Sequence, residues 1–292
     1  MSIPQSCAVI GGGPAGLMAA ETLAEAGCPV TVYDRMPGLG RKFLMAGVGG
    51  LNLTHSEGMD VFLSRYRGMP LRSMVEAFPP EALRAWCEGL GQETFIGSSG
   101  RVFPKSLKAS PLLRAWLQRL SELGVESRLR HRWTGWRDEA LTFDAPDGPI
   151  EAIHDATILA LGGASWARLG SDGAWSKTMQ QVGVATAPFR PANCSFEVDW
   201  REHVGSKFAG TPLKSIALSF GDRSLRGEAM VSETGIEGGA IYALSPDLRD
   251  AIDATGSARL IIDLKPDHDL VRLAARLADG RKGDTLPSRL RK

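Results

Sequence analysis

Residues 7–35 read CAVIGGGPAGLMAAETLAEAGCPVTVYDR, and few folds accommodate such a stretch. Cys7–Ile10 is a short apolar run without charge, the pattern of a parallel strand buried on both faces. Pro14 suits a first helical position because it has no N–H to leave unpaired. Leu17, Ala20, Leu23 and Ala24 give the helix an apolar face, and Gly27 is placed to stop it. Val30–Tyr33 is the second strand, so the chain opens as a βαβ unit.

Within this opening Gly11, Gly13 and Gly16 satisfy G-x-G-x-x-G. Gly11 allows the tight turn, Gly13 lets the backbone approach a pyrophosphate, and Gly16 lets helix and strand pack closely. Pro14 and Ala15 open the helix, whose free N–H groups and positive dipole end face the phosphates. Asp34 closes the second strand, where an acid accepts hydrogen bonds from a ribose. Its charge disfavours a 2′-phosphate, and Arg35 partly offsets that. The fingerprint by itself leaves FAD and NAD open.

The rest of the chain bounds the class. With 292 residues it has room for two domains, or for one with an insertion. A net charge of +1 gives no global field toward nucleic acid or an anionic membrane. No apolar run is long enough to span a bilayer. Cys7, Cys28, Cys87 and Cys194 form no CxxC pair, and the five histidines show no metal spacing. The expectation is a soluble cytoplasmic protein with reduced thiols, no metal, no nucleic-acid partner and no membrane partner.

Further along, 37–55 reads as a long Gly-rich loop. Helices are expected in PEALRAWCEGLG, in SPLLRAWLQRLSELG with Ser110 as cap, and in SPDLRDAIDATG with Ser245 as cap. Residues 125–158 read as short antiparallel strands, and ATILALGG as another buried strand. The prolines of APFRPANC mark a boundary, giving domains 1–187 and 188–292. Arg101, Lys105 and Lys108 read as a solvated basic loop, with a cationic rim for an anionic ligand as the alternative. His55 is the one histidine placed to be tested near a ligand. No side chain is assigned as catalytic acid or base.

Beyond the fingerprint, GLGRKFLMAGVGGLNLTH, GSSGRVFPKSLKASPLLRAWL, ATILALGGASWARLGSDGAW and TGIEGGAIYALS resemble the bacterial BaiN-like, or aminoacetone-oxidase-family, FAD-binding flavoproteins. The resemblance implies a Rossmann-like, doubly wound α/β domain binding FAD, with a β-rich insert domain. It implies pyrophosphate contacts at Gly11–Gly16 and a ribose contact at Asp34, with Arg35 also among the cofactor-binding residues. Gly40, Arg41 and Lys42 would line the flavin side with Asn52 and Thr54 nearby, and Ala160, Leu161 and Gly162 would make a second FAD contact. Cations at Arg41 and Lys42 would favour a reduced flavin and neutralise phosphate.

Two departures accompany the match. Val48-Gly49-Gly50-Leu51-Asn52 lacks the Arg and Cys of the broader group, and Glu237-Gly238-Gly239 replaces a Ser-Gly-Pro turn. The family's closing Gly-rich FAD segment is absent before LPSRLRK, which suggests a truncated member. The implied activity is an FAD-dependent oxidoreductase acting on a small molecule, with NAD(P)H as a donor. A nucleotide-binding fragment without turnover is the alternative, and an FAD-dependent RNA-modifying enzyme a third.

Overall fold

The computed structural model describes residues 4–46, 49–66, 70–201, 203–278 and 285. Val48 and the closing 286–292 lie outside them. The chain divides into two units, Met1–Phe189 and Arg190–Lys292.

In the first unit β1 (Cys7–Ile10), α1 (Pro14–Glu25) and β2 (Val30–Asp34) form the expected βαβ opening. β1 lies between β2 and Ala156–Leu159, and β2 also pairs with Glu126–Leu129, all in parallel. Alternation along the strands divides the side chains between two cores. Cys7, Val9, Val30 and Val32 face Leu17 and Ala20 of α1 and Leu113, Trp116 and Leu120 of helix Ala109–Glu122. Ala8, Ile10 and Tyr33 face Trp133, Leu141 and Phe143 of an antiparallel meander, Arg132–Arg137, Ala140–Ala145 and Gly148–Ala152. A sheet covered on both faces explains why β1 carries no charge.

The second unit is a five-stranded antiparallel sheet backed by helix Gly239–Thr255. Ile216, Leu218, Ala229 and Ile236 pack against Ile241, Leu244 and Leu248.

Four local expectations change. Glu126–Leu129 joins the parallel sheet instead of the meander, because its register is set by β2. Residues Arg41–Ala46 form a helix, α2, inside the expected loop. Helix Ala109–Glu122 starts before Ser110, with Pro111 in its first turn, where a missing N–H leaves no bond unmade. The helix expected at 245–256 begins at Gly239, so Pro246 is interior and Ser245 is no cap. The Ser245 hydroxyl instead donates to the Ile241 carbonyl at 3.2 Å.

One buried polar group holds the helices of the first unit together. Glu21 of α1 is 2 % exposed. Its carboxylate accepts hydrogen bonds from the indole N–H of Trp116 (2.6 Å), the indole N–H of Trp86 (3.1 Å) and the Arg119 guanidinium (2.9 Å). Glu21→Ala leaves a buried indole N–H and a partly buried guanidinium without their acceptor. The expected loss is about 3 kcal/mol of unfolding free energy by urea denaturation. Glu21→Gln, which keeps one acceptor oxygen, should fall between the two.

Candidate functional site: a cleft at the strand ends

A cleft of about 880 Å³ opens beyond the carboxyl ends of β1, β2 and Ala156–Leu159, where open α/β sheets take their ligands. The fingerprint forms its floor. Gly11 has φ +110, and a β-carbon there would lie 2.3 Å from the Ala160 carbonyl oxygen. At Gly16 a β-carbon would lie 1.9 Å from the Gly11 carbonyl oxygen. Gly13 differs: nothing lies within 4 Å of where its β-carbon would point. The first turn of α1 has neither an acidic residue nor a side-chain cap, so its free N–H groups have no competing partner there.

Gly11, Gly13, Pro14, Ala15, Asp34, Arg35, Gly40, Arg41, Lys42, Ala160, Leu161 and Gly162 all line the cleft. Gly16 is buried behind it. Asn52 and Thr54 are not among the lining residues; Thr54 sits in a short strand against Val102. His55, Arg101, Lys105 and Lys108 also lie off the cleft. Lys105 pairs with Glu93 at 2.5 Å, and His55 meets the Ser99 carbonyl at 3.0 Å.

The polar groups at the cleft are unevenly matched. Asp34 accepts the N–H of Gly12 and of Met36, both at 2.7 Å, which fixes its carboxylate at the end of β2. Arg35 reaches Asp172 at 2.7 Å. Burial works to raise the Asp172 carboxyl, but hydrogen bonds from Arg35 and the Ala174 N–H outweigh it and hold its pKa below the usual range. Lys42 donates to the Ser165 hydroxyl at 2.9 Å. Arg41 Nε and Trp133 Nε1 are buried without a partner among the described residues. Both belong to lining residues and are N–H donors, so the cleft suits a ligand rich in acceptor oxygens. An FAD-like dinucleotide matches those donors and the open approach at Gly13.

Several lining residues carry no signal in the sequence. His131, Trp133 and Thr134 come from the meander, and Leu169–Asp172, Trp175, Thr178 and Met179 from the segment after Ala156–Leu159. Non-local pairing brings them in. His131 donates from Nδ1 to the Leu129 carbonyl at 2.8 Å.

These observations agree with the sequence relationships. A model of the HI0933-like protein Rossmann domain matches residues 5–256. The chain belongs to this family. The 3-dehydro-bile acid delta(4,6)-reductase of Clostridium scindens is 28 % identical over 275 residues, covering 89 % of this chain and 64 % of its own. The ribosomal RNA dihydrouridine synthase of Haemophilus influenzae is 26 % identical over 281 residues, covering 90 % and 65 %. The chain thus spans a little under two thirds of the length of these relatives. Among solved structures, the Mycobacterium smegmatis Sdh1 complex in the apo form is 17 % identical, covers 61 % of this chain and 39 % of its own, and has a TM-score of 0.47.

In the cleft wall, Tyr33 stacks on Phe143 with centroids 4.3 Å apart, and its hydroxyl meets His154 Nε2 at 3.1 Å. Burial lowers the pKa of His154 from its ordinary 6.5, with Asp155 opposing. The folded chain therefore holds fewer protons than the unfolded chain below pH about 6.5, and stability falls on acidification from there to the depressed folded value. Thermal melts between pH 7.5 and 5 should show a shallower loss in His154→Gln than in the wild type.

Proposed function

We propose that the cleft binds FAD and that the chain serves an FAD-dependent oxidoreductase acting on a small molecule, with NAD(P)H as electron donor, in the cytoplasm. The observation that carries this reading is the pairing of an open, uncapped α1 N-terminus at Gly13 with donors on Arg41 and Trp133 that have no partner among the described residues. Family membership supports it.

Under this reading each contact has a role. The N–H groups of the first turn of α1 hold the pyrophosphate, and Asp34 accepts a ribose hydroxyl with the lone pairs that Gly12 and Met36 leave free. Arg41 and Lys42 supply positive charge at the flavin end, while Ala160–Gly162 form the wall beside Gly11. The chemistry FAD supplies when bound is hydride and electron transfer; the protein contributes orientation and electrostatics.

A second reading has one specific support, the RNA-modifying relative. The net charge of +1 weighs against an extended nucleic-acid surface.

The test separates binding from folding. Gly13 has an ordinary φ of −83 and open space at its β-carbon, so Gly13→Val should fold with a melting temperature close to the wild type. It should lose FAD affinity by roughly tenfold or more, because the new side chain fills the approach to the pyrophosphate. Gly11→Ala, forced against the Ala160 carbonyl at positive φ, should lower the melting temperature itself. Wild-type protein that takes up no FAD, by visible spectrum and by flavin released on denaturation, would refute the reading. Anaerobic bleaching of the bound flavin by NADH or NADPH tests the donor. Reoxidation by a ribosomal RNA fragment alone would favour the second reading.

A further inference from the structure

At the end of β2 an acid and a base stand side by side in the cleft lining, and the fold treats them differently. Asp34 is fixed by the Gly12 and Met36 N–H groups, both at 2.7 Å. An arginine beside the acid that meets an adenosine ribose is the residue type that accommodates a 2′-phosphate. In this chain the guanidinium of Arg35 is already engaged. Its Nη1 donates to Asp172 Oδ2 at 2.7 Å, and its Nη2 reaches the Ala167 carbonyl at 3.4 Å.

Both acceptors come from a segment remote in sequence, 137 and 132 residues away, and its backbone is shaped for the approach. Gly170 has φ +100, and a β-carbon there would lie 2.8 Å from Met36 Cγ and 3.8 Å from Arg35 Nε. Glycine at this point lets the segment lie against the end of β2, which brings Asp172, two residues on, to the guanidinium. The Ala174 N–H holds the other carboxylate oxygen of Asp172 at 3.1 Å. Asp172 itself lines the cleft, and with its pKa held below the usual carboxylate range it is ionised at neutral pH. This end of the cleft therefore presents two carboxylates, and a guanidinium that one of them has already matched.

We propose that Asp172 is a specificity-determining residue: by occupying Arg35 it restricts the cleft to dinucleotides whose adenosine ribose carries a free 2′-hydroxyl. A 2′-phosphate would meet Asp34 and Asp172 as like charges and find no free fork on Arg35. FAD passes this filter and NADP(H) does not, so a phosphorylated electron donor does not compete with the flavin for its own cleft. The proposal rests on the reading in which Asp34 takes the ribose, and is indifferent to the group at the far end of the dinucleotide.

ADP-ribose and 2′-phospho-ADP-ribose differ only in the group at issue, and calorimetric titration of the full chain with each tests the proposal. The wild type should bind ADP-ribose more tightly than its 2′-phosphate by roughly tenfold. Asp172→Asn keeps an acceptor for the Ala174 N–H but loses the charge, and should shrink that preference by roughly tenfold. The Arg35 and Asp172 side chains are 28 % and 30 % exposed, so loss of the pair should leave the melting temperature close to the wild type. Arg35→Met alone should widen the preference. Combined with Asp172→Asn it should cancel the gain, which separates Arg35 from Arg41 and Arg132, the other arginines of the lining. An unchanged preference in folded Asp172→Asn, a gain that survives Arg35→Met, or a preference narrowed by Arg35→Met alone would overturn the proposal. A wild type that binds the two ligands equally, or binds neither, would overturn it as well. ADP-ribose bound with the expected preference while FAD is not taken up would remove the flavin reading and leave the filter.

Discussion

Two carbonyl groups leave no space for a β-carbon where the first helix leaves the sheet. The Ala160 oxygen stands against Gly11, and the Gly11 oxygen against Gly16. With these two glycines, β1, α1 and the strand ending at Leu159 come closer than any side chain would permit. The Ala160 N–H donates to the Ile10 carbonyl at 2.8 Å, and the Gly11 N–H to the Tyr33 carbonyl at 2.8 Å. Three strand ends are thereby brought into one plane, and the cleft is the space beyond it. Any larger residue at Gly11 or Gly16 would push α1 outward and carry its free N–H groups away from that space.

The same helix is fixed from its other side by Glu21. Its carboxylate gathers donors from Trp86 and from Trp116 and Arg119, on two different helices. Such a buried charge costs desolvation energy that hydrogen bonds must offset, and here three donors supply them. In exchange, α1 is restrained in rotation as well as in depth. The backbone contact sets how closely α1 approaches, and the Glu21 network sets which face it turns to the sheet.

Much of this was legible in residues 7–35, because glycine requirements and strand burial are local properties. The need for glycine at Gly11 and Gly16 follows from spacing alone. Glu21 was not legible: in an amphipathic pattern it reads as a solvent-facing residue, and only the folded position of Trp86 and Trp116 makes it internal. α2 was hidden for a related reason. Its residues, RKFLMA, sit among glycines and are too few for a periodic signal, yet Gly40, with its N–H on the Gly12 carbonyl at 2.8 Å, anchors its start. Pro246 misled in the opposite direction. Proline commonly opens a helix, but here the loss of one N–H is accommodated within Gly239–Thr255, and its Ser245 neighbour bonds backward instead of capping. His131 and Trp133 reach the cleft only through the meander's packing on Tyr33, which depends on pairings remote in sequence.

The electrostatics of the cleft follow from which cations have been neutralised and which have not. Arg35 is matched by Asp172 at the Asp34 end, so little net positive charge is added where a ribose hydroxyl would be held. Lys42 is tied to a neutral hydroxyl, which orients it without cancelling its charge. Arg41 keeps a buried N–H with no partner among the described residues. Positive charge at the start of α2 therefore stands near the uncapped end of α1, the Gly40 N–H donating to the Gly12 carbonyl, while Arg132 adds a further cation to the lining. An anionic group placed between the two would meet charge from one side and helix N–H donors from the other, and the carboxylates of Asp34 and Asp172 would confine it to that end. A dinucleotide has this asymmetry, with ribose hydroxyls at one end and charge at its centre.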